Sequence, residues 1–100
     1  MIKSKEEQKI QSKIMDYIYS LGFIPIKHNN IGIYSTAGVP DILICSNKGR
    51  FIAIEVKIPG EKPKPLQDKY IDAINKLGGV AFYATSVEEV KEYLKKETII

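Results

Sequence analysis

The sequence predicts an α/β fold in which helices pack on a mixed sheet. Two short apolar runs, residues 42–45 and 51–58, flank a polar turn that contains glycine, which is typical of a β-hairpin. A strand–helix–strand passage follows over residues 51–84, and such a passage forms a right-handed crossover between parallel strands. With 100 residues and 44% hydrophobic content, the chain is expected to form one domain over residues 1–100 with a core of its own.

The first predicted helix covers residues 4–21. Ser4 and Glu7 form an S-x-x-E capping box, and apolar residues then recur at intervals of three and four. Glu7 also continues the stripe of Gln11 and Ile14 by one turn toward the start of the helix. Two alternatives follow: Glu7 caps the helix or is solvated, or its carboxylate points inward toward a site.

The segment between this helix and the hairpin allows more than one interpretation. Residues 23–26 form an extended piece that Pro25 restricts to a sheet edge or a strand end, because proline has no N–H to donate. Residues 33–34 are a second candidate strand, so two or three strands are expected before the next helix. His28 is the only histidine, and we expect a loop residue rather than a metal ligand. Asn29, Asn30 and Gly32 serve either tight turns or contacts to phosphate.

The second half of the chain predicts helix, strand and helix. Pro65 fits the first turn of a helix over residues 66–77, and Gln67 shares an inward stripe with Ile71. Residues 80–84 are a buried type of strand, and an S-x-x-E capping box at residues 86–89 opens the last helix. The apolar face of the second helix is predicted to comprise Leu66, Tyr70, Ile74 and Leu77, and that of the last helix Val87, Val90, Tyr93 and Leu94.

Composition excludes several function classes. A net charge of +3 permits a polyanionic partner without demanding one. A single cysteine, Cys45, excludes an internal disulfide, argues against a zinc site and favours a reducing, cytoplasmic setting. No apolar run is long enough to span a membrane, and the charged N-terminus lacks the apolar core of a signal peptide, so no membrane partner is expected.

The candidate site lies on the hairpin. Side chains alternate along a strand, so Glu55 and Lys57 share one face while β-branched residues fill the other. A half-buried carboxylate and ammonium cost free energy unless they are paired or bound. Asp41, at the mouth of the partner strand, adds a second carboxylate. An ion pair between Glu55 and Lys57 on an exposed face is the simpler alternative.

The same three side chains also suit phosphodiester hydrolysis. Two carboxylates and a main-chain carbonyl suffice for Mg²⁺, which prefers oxygen ligands and keeps several waters. A neighbouring lysine can orient a water, accept its proton or offset negative charge in the transition state. The hairpin, the β-branched opposite face and an inward Gln67 favour the metal site over the ion pair.

A family resemblance rests on five segments taken in order. They are Gly38-Val39-Pro40-Asp41, Gly49-Arg50-Phe51, Ile54-Glu55-Val56-Lys57, Gln67 and Gly78-Gly79. This combination resembles the virus-type replication-repair nuclease (VRR-NUC) branch of the PD-(D/E)XK nucleases over nearly the whole chain. The resemblance implies a restriction-endonuclease-like αβββαβ core, here followed by a C-terminal helix.

The resemblance also implies roles for individual residues. Asp41, Glu55 and the carbonyl of Val56 would bind Mg²⁺ or Mn²⁺, and Lys57 would be the catalytic lysine. Gln67 would steady the site from its helix. Glu7 would be the acidic residue of the first helix and a further metal ligand, with Glu6 as its rival because the register at a helix start is uncertain.

The resulting expectation is a metal-dependent, structure-selective DNA endonuclease. Standalone members of the family resemble Holliday-junction resolvases and pair into homodimers, so branched double-stranded DNA and a second copy are the expected partners, in a bacterial or phage-infected cell. The alternatives are a flap-type nuclease, a nucleic-acid-binding module of the same fold that cuts nothing, and a purely structural or partner-binding domain.

Overall fold

A computed structural model of the chain describes residues 4–28 and 37–100. The elements follow the predicted order of helix, three strands, helix, strand and helix, so the α/β fold is confirmed. The predicted strand at residues 33–34, and Asn29, Asn30 and Gly32, lie outside the described residues. The helices and strands are α1 (Lys5–Ser20), β1 (Ile24–Lys27), β2 (Ile42–Cys45), β3 (Phe51–Val56), α2 (Pro65–Lys76), β4 (Val80–Ala84) and α3 (Val87–Lys96).

The four strands form one mixed sheet in the order β1-β2-β3-β4. β2 and β3 pair antiparallel as the predicted hairpin, and β3 and β4 pair parallel across α2 as the predicted crossover. β1 pairs with β2 and lies at the edge, where Pro25 faces Ile44. An edge strand leaves one side of its backbone without a ladder partner, so a proline is tolerated there.

One face of the sheet carries the main core. Ile52, Ile54 and Val56 of β3 are fully buried, as the alternation predicts, and α1 contributes the predicted stripe of Ile14 and Ile18. From α3, Val90 and Leu94 are buried as expected. Tyr93 is 40% exposed yet stacks on Phe82 with ring centroids 4.2 Å apart. The other members of this core are Ile42, Ile44, Val80, Phe82, Ala84 and Ile99.

The opposite face carries α2, and the predicted apolar face of this helix is correct only in part, because Ile74 packs against the sheet as expected whereas both leucines are exposed. Leu66 is 51% exposed and Leu77 is 89% exposed, whereas Ile71 is buried against Ala53 and Ala81. The stripe of Gln67 and Ile71 faces the sheet because only that orientation lets Gln67 reach the buried polar groups of β3. The small alanines of β3 and β4 let the helix approach closely.

The helix starts follow the sequence with one correction. Ser4 and Glu7 form the predicted capping box of α1. At α3, Ser86 Oγ accepts from the Glu89 N–H at 3.2 Å, but the Glu89 carboxylate bonds Thr85 and so completes no reciprocal box. Thr85 offers both an N–H and a hydroxyl, which makes it the better partner. Within residues 4–28 and 37–100, every helix is too short or too polar to cross a bilayer.

Candidate active site

The two predicted carboxylates lie opposite each other where β2 begins. Ile42 pairs with Ile54, and one further step of this antiparallel register sets Asp41 opposite Glu55. Directly opposed side chains lie on one side of a sheet, with Cβ atoms about 5 Å apart. Asp41 Oδ2 accepts a 2.8 Å hydrogen bond from the Val56 N–H, which ties this carboxylate to β3. The sheet therefore brings together two acids that are 14 residues apart in the sequence.

Gln67 joins Glu55 to Lys57 from the opposite side of the site. Its Oε1 accepts from Lys57 Nζ at 2.6 Å, and its Nε2 donates to Glu55 Oε2 at 3.0 Å. Lys57 Nζ also lies 3.9 Å from Glu55 Oε2. The amide can satisfy an ammonium and a carboxylate at once because it carries both an acceptor and a donor. The structure thus brings together four of the predicted residues: Asp41, Glu55, Lys57 and Gln67.

A close backbone approach holds the two sides of this site together. Gly38 precedes Asp41 by three residues and has a φ of +88°. A Cβ on Gly38 would lie 2.7 Å from the carbonyl oxygen of Leu66, the residue before Gln67. Only glycine leaves room for this approach and adopts this φ without strain. The loop that carries Asp41 is therefore seated directly on the first turn of α2.

The charges at the site are buried and unequal in number. Among the described residues, the buried ionisable side chains are Asp41, Glu55 and Lys57, each at most 3% exposed. Two carboxylates and one ammonium therefore share one buried cluster. Carboxylate oxygens are the ligands that hard cations prefer, so the residues present fit Mg²⁺ or Mn²⁺.

Glu7 and Val56 have other contacts in this structure. Glu7 is half-buried, and its Oε1 accepts from the N–H and Oγ of Ser4 at 3.4 and 3.2 Å, as the capping alternative predicts. Across residues 4–28 and 37–100, three His, Cys, Asp or Glu side chains nowhere gather into a group able to hold a metal. Glu7 is therefore not grouped with Asp41 and Glu55, and its role as a ligand, like that of the Val56 carbonyl, stays a prediction.

Three neighbours of Lys57 and Gln67 are missed by the sequence patterns. Glu61 Oε2 lies 4.0 Å from Lys57 Nζ, and the Tyr83 ring centroid lies 5.9 Å from the same nitrogen. The Tyr83 hydroxyl donates to Asp68 Oδ1 at 2.5 Å. Burial, this hydrogen bond and the nearby carboxylates raise the pKa of Tyr83 above its usual value. Glu61 has a sequence signal, four residues after Lys57, but the Tyr83 contacts depend on how β4 and α2 pack.

His28 lies closer to the site than the sequence suggests. Its N–H donates to the Asp41 carbonyl at 2.7 Å, one step beyond β1 in the register with β2. Its backbone therefore extends the β1–β2 pairing to the residue that carries the first carboxylate. His28 lies outside the helices and strands, as predicted, and this contact is made by its main chain.

Comparison with known proteins gives matches that agree with this geometry. The VRR-NUC domain family matches residues 32–88, which include Asp41, Glu55, Lys57 and Gln67. A protein named "Putative nuclease p44", from Acyrthosiphon pisum secondary endosymbiont phage 1, is 36% identical over 61 residues. That alignment covers 61% of this chain, and the chain spans 62% of the phage protein.

Two solved structures share the fold. One, titled "VRR_NUC domain", superposes with a TM-score of 0.74 over 92% of this chain and 97% of its own length, at 22% identity. A second, titled "VRR_NUC domain protein", gives a TM-score of 0.70 over 95% of this chain and 89% of its own length, at 18% identity. The family match over residues 32–88, more than half of the chain, shows that the chain belongs to the VRR-NUC domain family of nucleases.

Proposed function

We propose that this chain is a Mg²⁺- or Mn²⁺-dependent endodeoxyribonuclease that hydrolyses phosphodiester bonds in branched DNA. The observation that carries the proposal is the buried pair Asp41 and Glu55, opposed across β2 and β3, with the Lys57 ammonium held beside them by Gln67. An ion pair on an exposed strand face, the simpler alternative, does not agree with the burial of both partners.

In this proposal the metal ligands are Asp41, Glu55 and the Val56 carbonyl, with Glu7 as a further candidate. When bound, the cation polarises a phosphoryl oxygen and lowers the pKa of a bound water. The hydrogen bond that the Val56 N–H donates to the Asp41 carboxylate holds this carboxylate against the sheet. Because both carboxylates are held in place before the substrate binds, less entropy is lost on the way to the transition state, which lowers the activation free energy.

Lys57 is the proposed catalytic lysine. Lys57 is buried and its ammonium donates to Gln67 Oε1, so the ammonium has one defined position rather than many. From there it can orient the attacking water, exchange a proton with it, or offset the charge that develops on the phosphate. Gln67 holds Glu55 and Lys57 at a fixed separation, which is the steadying role the resemblance implies.

DNA is the proposed substrate because exposed lysines can bind its phosphates, and the choice of branched DNA follows from the resemblance to Holliday-junction resolvases. Exposed lysines lie along α1 and on the loop before α2, and such lysines bind phosphates without reading sequence. A four-way junction also needs two paired cuts, so we propose that two copies of the chain act together as a homodimer. The exposed lysines in question are Lys5, Lys9, Lys13, Lys62 and Lys64.

The experiment compares cleavage of a four-way junction, a flap and a linear duplex with Mg²⁺, Mn²⁺ or EDTA. Asp41→Asn and Lys57→Met are each expected to lower the rate about 100-fold or more, as loss of a key electrostatic group does. Glu92→Gln removes an exposed acid from α3 and serves as the control. Equal rates for wild type, Asp41→Asn and Lys57→Met would reject a catalytic role for the site.

Two further readouts separate the alternatives. Salt-dependent DNA binding that ignores both EDTA and Asp41→Asn, without cleavage, would identify a binding module instead. Preference for the flap over the junction would replace the resolvase with a flap nuclease. Sedimentation as a monomer at micromolar concentration, with and without DNA, would contradict the homodimer.

A further inference from the structure

Helix α2 is held to the sheet by polar contacts at both of its ends. At the far end, Asn75 bonds both backbone groups of Ala81. Its Nδ2 donates to the Ala81 carbonyl at 2.9 Å, and its Oδ1 accepts from the Ala81 N–H at 2.8 Å. At the end near the site, the Tyr83 hydroxyl of β4 donates to Asp68 Oδ1 at 2.5 Å. Asp68 follows Gln67 directly, so this second contact holds the turn of the helix that carries Gln67.

Tyr83 also lies beside the site, because it is paired with a site residue across strands β3 and β4. The parallel register of β3 and β4 pairs Glu55 with Tyr83, so the two side chains lie on the same face of the sheet. The Lys57 ammonium is 5.9 Å from the centre of the tyrosine ring, at the range of a cation–π contact. One residue therefore contacts α2 with its hydroxyl and flanks Lys57 with its ring.

The position of Gln67 is sensitive to this contact. Its Oε1 accepts from Lys57 Nζ at 2.6 Å and from the Lys64 N–H at 3.0 Å, and its Nε2 donates to Glu55 Oε2 at 3.0 Å. Hydrogen bonds from nitrogen to oxygen normally span about 2.7–3.2 Å between the heavy atoms. A sideways shift of the first turn by about 1 Å, well below the 5.4 Å pitch of a helix, would break the bonds to Lys57 and Glu55.

We propose that Tyr83 is a positioning residue for the reaction, holding Gln67 in place through Asp68 and confining the Lys57 ammonium with its ring. The inference rests on the proposed function, since positioning has meaning only if Lys57 and Glu55 act in cleavage. It goes beyond that function by assigning a role to β4 and to the first turn of α2. Tyr83 does not need to contact the substrate.

Tyr83→Phe tests the hydroxyl alone, because phenylalanine keeps the ring beside Lys57. The variant is expected to lower kcat about 10-fold with little change in KM, since a small misplacement of a catalytic group slows the chemical step without weakening DNA binding. Tyr83→Leu removes the ring as well and is expected to lower kcat further. Asp68→Ala is expected to match Tyr83→Phe, and the double variant to be no worse than either alone.

Two controls distinguish positioning from ordinary loss of stability. Tyr93→Phe removes the hydroxyl of a tyrosine whose ring stacks on Phe82, a member of the main core on the other face of the sheet. Asn75→Ala weakens the far attachment of α2, and is expected to destabilise the protein at least as much as Tyr83→Phe while leaving kcat within about two-fold, because such distant effects are independent. Both comparisons use full-length protein at a temperature where denaturant titration shows every variant folded.

The outcomes separate this inference from the proposed function. Reduced kcat in Tyr83→Phe and Asp68→Ala without additivity, with both controls near wild type, supports positioning. Wild-type kcat in Tyr83→Phe, or an equal loss in Asn75→Ala, overturns it while Asp41→Asn still abolishes cleavage. If wild type and Asp41→Asn cleave alike, the proposed function fails and the inference fails with it.

Discussion

Replacing Gly38 by alanine is expected to destabilise the protein and to separate the two sides of the site. The new Cβ would lie 2.7 Å from the Leu66 oxygen and 2.9 Å from both its carbonyl carbon and its Cβ. Two of these three atoms are backbone of α2, so the neighbour cannot rotate away as the end of a flexible side chain does. The loop that carries Asp41 or the start of α2 must shift.

The magnitude follows from two contributions. Alanine at a φ of +88° costs about 1–2 kcal/mol because its Cβ crowds the following carbonyl. Forcing an extra methyl into a close contact typically costs about 1–3 kcal/mol more. Loss of the conformational freedom that glycine gives the unfolded chain offsets about 0.4–1 kcal/mol. A net loss of about 2–4 kcal/mol in the free energy of unfolding is therefore expected.

Gly60 supplies a matched control for this prediction. It has the same φ of +88°, but a Cβ there would meet nothing within 4 Å. Gly60→Ala therefore tests the backbone conformation alone, and it is expected to lower the free energy of unfolding by about 1 kcal/mol or less. Urea denaturation of both variants measures the difference. If Gly38→Ala costs no more than Gly60→Ala, the close approach of the loop to α2 does not hold and neither does its role in placing Asp41.

Three further predictions concern Gln67, Gln11 and Tyr83. Gln67→Glu replaces the donor 3.0 Å from Glu55 with a carboxylate, so the free energy of unfolding is expected to fall by about 1–3 kcal/mol at pH 7, measured by urea denaturation. Wild-type stability in this variant would contradict the hydrogen bond from Gln67 to Glu55. Gln11 is buried, and its Nε2 has no hydrogen-bond partner among the described residues. Gln11→Leu is therefore expected to raise the free energy of unfolding by about 1 kcal/mol in the same assay. A decrease would show that the amide does make hydrogen bonds in the folded protein. Folding raises the pKa of Tyr83, so its stabilising contribution is complete below about pH 10, the unfolded value, and is lost as the pH rises further. Tyr83→Phe is expected to reduce the fall in stability between pH 9 and 11 that the wild type shows, and an unchanged slope would contradict the raised pKa.

Local patterns were sufficient for most of the fold because periodicity and turn residues are local signals. The hairpin, the crossover and the Ser4 capping box follow from alternation, a glycine-containing turn and an S-x-x-E sequence, and the structure confirms all three. The orientation of α2 was ambiguous because Leu66 and Ile71 lie on competing stripes. The deciding contact comes from Gln67 to β3, which is tertiary and leaves no periodic trace.

In the candidate site too, local patterns predicted some residues, whereas others depend on tertiary contacts. Asp41, Glu55 and Lys57 were predicted to converge because strand alternation and hairpin pairing fix which side chains share a face, and the geometry brings them together. Tyr83 was predicted only as part of a buried strand. Its place opposite Glu55 depends on the parallel register of β3 with β4, which no local pattern encodes.

The most direct measurement of the central claim is anomalous X-ray scattering from crystals soaked in Mn²⁺. The proposal predicts a peak within ligand distance of the carboxylates of Asp41 and Glu55, and its loss in Asp41→Asn crystals that retain the wild-type fold. A wild-type crystal without manganese between these two residues, at a concentration that supports cleavage, would contradict it.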